Sequence, residues 1–328
     1  SLVHALGKLQ RKDELRALLD RWSRLPQNPA LRAAAVRGAV WLGDLDLALA
    51  EAQKNAAQAT DPSPLVDLAI VQFSRREFAA SEATLRVAIR DFAQHTRPRV
   101  LLAWPLNAQG KHREATRIID AFYHSSASLP AWEAHLSRAR ADLPWDPFTM
   151  WSEAQQLLAS DGEVAGTLAA AFALIGDLPH ARALAMLARP KTPDREAAEA
   201  MLAWRAGDAA AAMARLKALD AVEPTPEWSL PPSFLLAEVA SASGEDVTVL
   251  DAARRFRSVW AHLGSYGGWT VPRMTFLEAL SLSRLGRVPD ARVLVDRLLA
   301  EEANADSSDA LVRDLTTLKA HLELTPPR

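Results

Sequence analysis

The sequence predicts an all-α protein built as an array of about eight helix pairs, and three observations support this prediction. Apolar residues recur at helical spacing along most of the 328-residue chain. Short turns, most of them marked by a glycine, interrupt these segments at intervals that are often 31 to 34 residues. Hydrophobic residues make up 49% of the chain and charged residues 24%, as is typical of folded proteins.

The first two thirds of the chain hold the most regular pairs. Residues 1–29 predict a partial N-terminal helix pair that prolines end, and residues 30–223 predict the main series of repeats. The turn residues of this series stand at positions 43, 76, 110, 176 and 207. Glycine breaks a helix at little cost, so the glycines among them separate the two helices of a pair.

The last third of the chain is less regular. Residues 224–233 predict a stiff Pro-rich linker, and residues 234–305 predict looser repeats with turn residues at 244 and 286. A Gly-rich segment at 263–273 predicts a flexible insertion within these repeats. Residues 306–328 predict a C-terminal capping helix, so the array ends in a single helix.

Small residues recur at two fixed distances from the turns, where they would let paired helices approach closely. Seven residues before the turn stand Val36, Ala69, Ala103, Ala169, Ala200, Ala237 and Ala279. Five residues after it stand Ala48, Ala115, Ala181, Ala212 and Ala291. This pattern, with its period near 34, resembles the tetratricopeptide repeat (TPR) family in a degenerate bacterial form, over about residues 30–320. The resemblance implies a right-handed α-solenoid of TPR-like helix pairs.

Sequence motifs of common enzymes are missing. The chain has no phosphate-binding loop, dinucleotide glycine motif, serine-hydrolase elbow or zinc-binding His-Glu-Xaa-Xaa-His pattern. It has no Cys, and its eight His include no pair three or four residues apart on one helix face. Asp306 and Asp309 have the chemistry and position of residues that accept backbone hydrogen bonds at a helix start. We therefore expect no catalytic activity, no cofactor and no metal.

Charge and hydropathy limit the class of partner. The formal net charge of -2 provides no global field for nucleic acid, and no apolar run is long enough to insert into a membrane. We therefore expect a protein or peptide partner. An uncapped apolar seam at the first helix would also allow a homo-oligomer. The absence of Cys favours a periplasmic over a cytoplasmic location, although chance also explains it.

The resemblance to TPR proteins also implies which side chains face a concave groove, because the first helix of each pair lines it. The groove positions lie two, three and six residues before each turn residue, and the ten Trp of the chain make aromatic anchors there notable. The partner-binding residues predicted in this way are Arg37, Trp41, Phe73, Trp104, Asn107, Met201, Trp204, Arg205 and Arg284. Alternatively, each Trp fills the seam between neighbouring repeats.

Two further aromatic residues, Tyr266 and Trp269, stand in the Gly-rich insertion. Aromatic side chains in a loop can contact a ligand, or they can fold back and cover a helix end. Both interpretations stay open for this pair.

Two functions follow as hypotheses. The first is a non-catalytic scaffold that binds a peptide or protein in the concave groove, with Arg37, Arg205 and Arg284 orienting a carboxylate or acidic segment. The second is a ligand- or partner-sensing regulatory segment of a larger bacterial signalling or transcription-regulating protein. The second is suggested by a sequence that begins as if within a helix.

Overall fold

The computed structural model describes most of the chain. The described residues are 2–8, 11–25, 28–121, 136–137, 139–141, 147–160, 164–221, 230–259, 267–306 and 309–324. Contacts between Cα atoms divide the chain into two compact units, which we call unit 1 (Ser1–Pro105) and unit 2 (Leu106–Arg328). This division falls within a helix and differs from the boundaries expected at 30, 224, 234 and 306.

Unit 1 is a series of helices, and from α1 to α6 each packs on its neighbours in sequence. Its helices are α1 (Leu2–Lys8), α2 (Lys12–Ser23), α3 (Pro29–Leu42), α4 (Leu45–Ala56), α5 (Ser63–Ser74), α6 (Phe78–Asp91) and most of α7 (Arg97–Asn107). The first helices of successive pairs also pack on one another, as α1 does on α3 and α3 on α5.

Unit 2 continues the same scheme. Its helices are α8 (His112–Asp120), α9 (Pro147–Ser160), α10 (Ala165–Ile175), α11 (Leu178–Leu187), α12 (Pro193–Arg205), α13 (Ala209–Asp220), α14 (Pro232–Ala242), α15 (Asp246–Val259), α16 (Gly267–Arg284), α17 (Val288–Glu301) and α18 (Ala310–Leu324). The helices α10, α12, α14, α16 and α18 form an inner row in which each packs on the next. The predicted all-α fold, with the consecutive packing of an α-solenoid, is confirmed for the described residues.

The turn residues share one backbone conformation. All seven predicted turn positions have a positive φ, between 64° at Arg76 and 94° at Gly207. Glycine occupies six of these positions because it reaches this left-handed region without a clash of Cβ. The residue after Gly43, Gly176 or Gly207 is an aspartate whose side chain accepts a hydrogen bond from the first turn of the next helix. Local chemistry therefore ends one helix and begins the next.

The small residues around each turn are buried where paired helices meet. The seven residues before the turns are at most 5% exposed, and the five alanines after the turns are fully buried. In the pair formed by α5 and α6, the hydroxyl of Ser81 donates a hydrogen bond of 2.8 Å to the carbonyl of Ala69. These two residues occupy the two small-residue positions, so the contact shows directly that the positions face each other.

The Gly-rich segment differs from the expected loop. Residues 267–273 belong to α16, so the expectation of a flexible insertion is wrong for them. Trp269, Val271, Met274 and Leu277 of this helix are at most 5% exposed. Burial of these large apolar side chains stabilises the helix by more than the roughly 1 kcal/mol that each helical glycine costs.

The two ends of unit 2 meet. The amide of Asp306 donates a hydrogen bond of 2.9 Å to the carbonyl of Gly110, and the amide of Ala310 donates one of 3.0 Å to Ala141. The amide of Arg113 in turn donates to the Asp306 side chain at 3.0 Å. The segment between α17 and α18 thereby closes on the start of unit 2.

Candidate functional site

A cavity of about 860 Å³ lies along the inner row of unit 2, and we call it the large cavity. Four successive first helices, α12, α14, α16 and α18, supply most of its walls, together with Arg140. Its polar and charged lining consists of Arg140, Arg205, Glu238, Ser241, Arg273, Ser283, Arg284, Asp314, Thr317 and His321. Its apolar lining consists of Trp204, Ala242, Phe276, Leu277, Leu280 and Leu318.

The floor of the large cavity is an ion-pair cluster around Glu238 of α14. Its carboxylate, which is 5% exposed, lies 2.5 Å from the guanidinium of Arg140 and 3.0 Å from that of Arg273. Burial raises the pKa of Glu238, but the charges of Arg140 and Arg273 outweigh burial and lower it to about 2. Glu238 is therefore ionised at neutral pH and compensates only part of the positive charge of these arginines.

Arg205 and Arg284 occupy equivalent places at the ends of two first helices. Arg205 donates to the carbonyls of Ala173, at 2.8 Å, and Leu174 at the end of α10. Arg284 donates to the carbonyl of Ser241, at 3.1 Å, near the end of α14. Each guanidinium thus caps the preceding first helix, where carbonyls lack helical partners and the helix dipole favours a cation. This holds both cations in place at the wall of the cavity.

Two of the arginine side chains make cation–π contacts with aromatic rings. The Arg205 guanidinium lies 4.3 Å from the ring centroid of Trp204, and that of Arg273 lies 5.3 Å from Phe276. Such stacking orients the planar guanidinium and leaves its edge for hydrogen bonds. The large cavity therefore presents oriented donors beside apolar surface.

A second cavity of unit 2, which we call the small cavity, has a volume of about 240 Å³. It is lined by Asn107, His112, Ser137, Arg140, Ala141, Trp269, Pro272, Arg273, Glu302, Asp309, Ala310, Leu311 and Asp314. Arg140, Arg273 and Asp314 line both cavities of unit 2. The Arg140–Glu238–Arg273 cluster therefore lies where the large and the small cavity share a wall.

A buried polar chain borders the small cavity. His112 Nε2 lies 3.1 Å from Asp309 Oδ2, and His112 Nδ1 lies 3.0 Å from Asn107 Oδ1. The hydroxyl of Ser137 donates to the same Asn107 oxygen at 3.3 Å. Asp309 Oδ1 also accepts the amide of Leu311 at 2.7 Å, which confirms its predicted position at a helix start. The chain ties α7 and α8 to the start of α18.

In unit 1 the predicted groove residues have different surroundings. Arg37 is exposed and lies 3.8 Å from Asp67, whereas Trp41 packs on the core formed by Val3, Leu6 and Leu15. One cavity of unit 1, of about 610 Å³, lies between α2, α3 and α4, and its lining includes none of the predicted groove residues. Trp41 thus fills a seam between α1 and α3.

Phe73 and Trp104 of unit 1 do contact each other. Their ring centroids are 6.1 Å apart, and Phe73 also lies 5.3 Å from Phe78. Phe73 is only 5% exposed, so it belongs mainly to the core between α5 and its neighbours.

In unit 2 the predicted residues have three different outcomes. Trp204, Arg205 and Arg284 lie together in the large cavity, as the groove prediction expects. Met201 is fully buried and therefore packs in the core instead of facing a groove. Asn107 lines the small cavity.

The two aromatic residues predicted for the Gly-rich insertion also differ. Trp269 lines the small cavity from within α16, so it is a helical residue and not a loop residue; its predicted role in ligand contact stays a prediction. Tyr266 lies outside the described residues.

Sequence reasoning missed the cluster at the floor of the large cavity. Glu238, Ser241 and Ala242 stand six, three and two residues before Gly244 and all line it, so the groove spacing applied to this turn would have found them. Arg140 and Arg273 stand at no such spacing, and only the packing of unit 2 brings them to Glu238.

Among the described residues, no group of three His, Asp or Glu side chains could hold a metal ion. Within the same ranges, no helix combines the length and the apolar character needed to cross a membrane.

No protein-family model matches the sequence, and a search of curated proteins finds no match.

Proposed function

We propose that this chain is a non-catalytic, TPR-like scaffold that binds an acidic segment, or the terminal carboxylate, of a protein partner in the large cavity. The charge of the lining supports the proposal: it holds four arginines (Arg140, Arg205, Arg273 and Arg284) and two carboxylates (Glu238 and Asp314), and Arg284 also lies 3.5 Å from Asp246. An excess of fixed cations in a partly enclosed cavity attracts carboxylates and disfavours cationic segments.

The arginine side chains are held in fixed positions by contacts within the protein, which favours directional binding. Arg205 and Arg284 are fixed on helix ends and Arg273 on Glu238, so little side-chain entropy is lost when a ligand arrives. Each guanidinium has more N–H donors than these contacts use, and its planar edge matches a carboxylate. The arginines can therefore bind a partner without giving up their structural contacts.

Apolar lining provides the contact area. Trp204, Phe276 and Leu280 border the same cavity as the arginines. Aromatic and Arg side chains together are typical of the residues that dominate binding energy at protein interfaces. A volume of about 860 Å³ accommodates a few side chains of an extended or helical peptide, whereas a folded domain could only cover its mouth.

The test is a selection of displayed random peptides on the wild-type protein, followed by affinity measurements on three variants. We expect the selected peptides to be enriched in Asp, Glu and apolar residues. Trp204→Ala and Arg284→Gln should each weaken their binding by about tenfold or more, since a lost anchor or charged hydrogen bond costs at least about 1.4 kcal/mol.

The control is Arg37→Gln in unit 1, which also removes an exposed arginine of a first helix. It should leave peptide affinity unchanged. Selected peptides without acidic residues, or equal losses in Arg37→Gln and Arg284→Gln, would contradict the proposal.

A second candidate function is the sensing of a small ligand by a regulatory segment of a larger signalling protein. The small cavity favours it, because this cavity shares Arg140 and Arg273 with the large one. The two functions differ in one measurable respect: sensing requires that a small ligand change the affinity for the selected peptides.

A further inference from the structure

The small cavity contains a buried donor that requires a partner. Trp269 is 5% exposed and lines this cavity, and its indole N–H has no hydrogen-bond partner among the described residues. Its ring is held edge-on against Phe234, at 5.4 Å between centroids, which fixes its position. A buried N–H without a partner costs roughly 1 to 3 kcal/mol, so a molecule in the cavity that accepts this hydrogen bond is favoured.

Both signs of charge line the small cavity. Arg140 and Arg273 provide cations, and Asp309, Asp314 and Glu302 provide carboxylates. Asp309 is 2% exposed; its Oδ2 accepts no hydrogen bond among the described residues, although His112 Nε2 lies 3.1 Å away. A ligand with a carboxylate at one end and an ammonium group at the other would place the carboxylate by the arginines and the Trp269 N–H, and the ammonium group by Asp309.

Volume limits the size of the occupant. A cavity of about 240 Å³ has room for about eight water molecules, or for an organic molecule with a similar number of non-hydrogen atoms. A nucleotide or a peptide is larger than this volume and would extend out of the cavity. A small α-amino acid combines that size with a carboxylate and an ammonium group.

We infer that the small cavity binds a small zwitterionic α-amino acid. The carboxylate would accept hydrogen bonds from the Trp269 indole N–H and from Arg140 or Arg273, and the ammonium group would donate to Asp309. This inference rests on the second candidate function, the sensing of a small ligand, and names the chemical class of that ligand. It does not depend on what the large cavity binds.

The closure of unit 2 explains why such a site exists only in the folded protein. Its walls come from both ends of the unit, which the Asp306–Gly110 and Ala310–Ala141 hydrogen bonds join. A bound amino acid would therefore stabilise unit 2 against unfolding, because the unfolded chain has no such site.

The test is calorimetric titration of the full chain with glycine, L-alanine, L-serine and L-threonine, paired with thermal unfolding. Acetate and ethylammonium serve as controls, since each carries one of the two charges. We expect saturable binding and a raised melting temperature with at least one amino acid, and neither effect with the two controls at equal ionic strength.

Two variants locate the site. Asp309→Asn removes the charge but retains an oxygen that caps α18, and Trp269→Phe removes the N–H but retains a ring. Each should weaken amino-acid binding by about tenfold or more. Trp204→Phe, which changes only the large cavity, should bind the amino acid as the wild type does.

Three results would overturn the inference: no saturable binding of any of the four amino acids to the folded wild type, equal binding of acetate, or unchanged binding by Asp309→Asn. The first result would mean that the cavity holds only water. None of them bears on the large cavity, which the peptide selection tests separately.

Discussion

Each unit holds a carboxylate buried in a first helix, and the two carboxylates have opposite pKa shifts. Burial raises the pKa of Asp67 in unit 1, and the charge of Arg37 only partly counteracts it. In unit 2, Arg140 and Arg273 lower the pKa of Glu238 to about 2 in spite of its burial. The charges of Arg37, 3.8 Å away, and of Arg97 do not offset the desolvation of Asp67, whereas two arginines within 3.0 Å offset that of Glu238.

The cavities of the two units differ in the same way. Among the lining residues of the unit 1 cavity, Arg32 and Lys54 balance Asp20 and Glu51. The large cavity of unit 2 has an excess of arginines. Similar helix pairs therefore acquire different chemistry from a few side chains that packing brings together.

The largest expected effect is the loss of Glu238. Glu238→Ala would leave Arg140 and Arg273 facing each other without a counter-charge, so we expect a stability loss on the order of 3 to 5 kcal/mol. Urea titration measures the loss, and hydrogen exchange should place it in unit 2. The matched variant Asp67→Asn should instead leave stability unchanged or raise it by less than about 1 kcal/mol, because burial already disfavours the charged carboxylate. Equal costs would refute the contrast between the units.

Acid should remove the same stabilisation more gently. Because the pKa of Glu238 is lowered in the folded protein, its contribution is present above the ordinary value of 4.5 and is lost as the pH falls from about 5 toward 2. The stability difference between the wild type and Glu238→Gln should therefore shrink by on the order of 2 kcal/mol over this range. Melting temperatures recorded against pH for both proteins provide the measurement, and a constant difference would contradict the assigned shift.

Asp67 should behave in the opposite sense. Its pKa is raised in the folded state, so protonation on acidification favours folding at this position. At neutral pH the wild type should therefore be less stable than Asp67→Asn. This difference in stability should shrink toward zero as the pH falls, and melting temperatures of both proteins recorded against pH measure it.

The closure of unit 2 can be tested at a turn glycine. A Cβ at Gly110 would lie 2.3 Å from a carboxylate oxygen of Glu302 and 2.5 Å from Cβ of Ala305. Gly110→Ala should therefore cost about 2 kcal/mol more than Gly244→Ala, measured by urea titration. At Gly244 a Cβ would meet nothing within 4 Å, so only the strain of its φ of 76° remains, about 1 kcal/mol. Equal losses would show that the closing segment moves aside at no cost.

The smallest expected effect is a gain in unit 1. Arg76 has a φ of 64° where the other turns have glycine, and its guanidinium lies 5.7 Å from the Phe78 ring centroid. Arg76→Gly should raise stability by less than about 1 kcal/mol, because relief of strain exceeds the lost contact. Arg76→Ala loses the contact and keeps the strain, so it should be the less stable of the two variants by about 1 kcal/mol. Identical melting temperatures for both would contradict this.

The positions of the turns and of the small residues around them could be predicted from the amino-acid sequence alone. The turn at Arg76, which lacks glycine, was placed correctly because the small residues Ala69 and Ser81 keep their distances from it. Turn chemistry and small-residue spacing act over one helix pair, so a single chain is enough to read them. The groove spacing correctly grouped Trp204, Arg205 and Arg284, which line one cavity. It also selected Met201, which is buried.

Contacts between side chains that are far apart in the sequence could not be predicted, because they depend on how whole helices pack. Arg140 reaches Glu238 across 98 positions, and Asp306 reaches Arg113 across 193, with no periodic signal in the sequence for either contact. The Gly-rich segment at 267–273 is likewise helical instead of a loop, and the burial of Trp269 stabilises that helix. These outcomes depend on the packing of whole helices, because the free energy of apolar burial and ion pairing is a property of the assembled unit and not of any one segment.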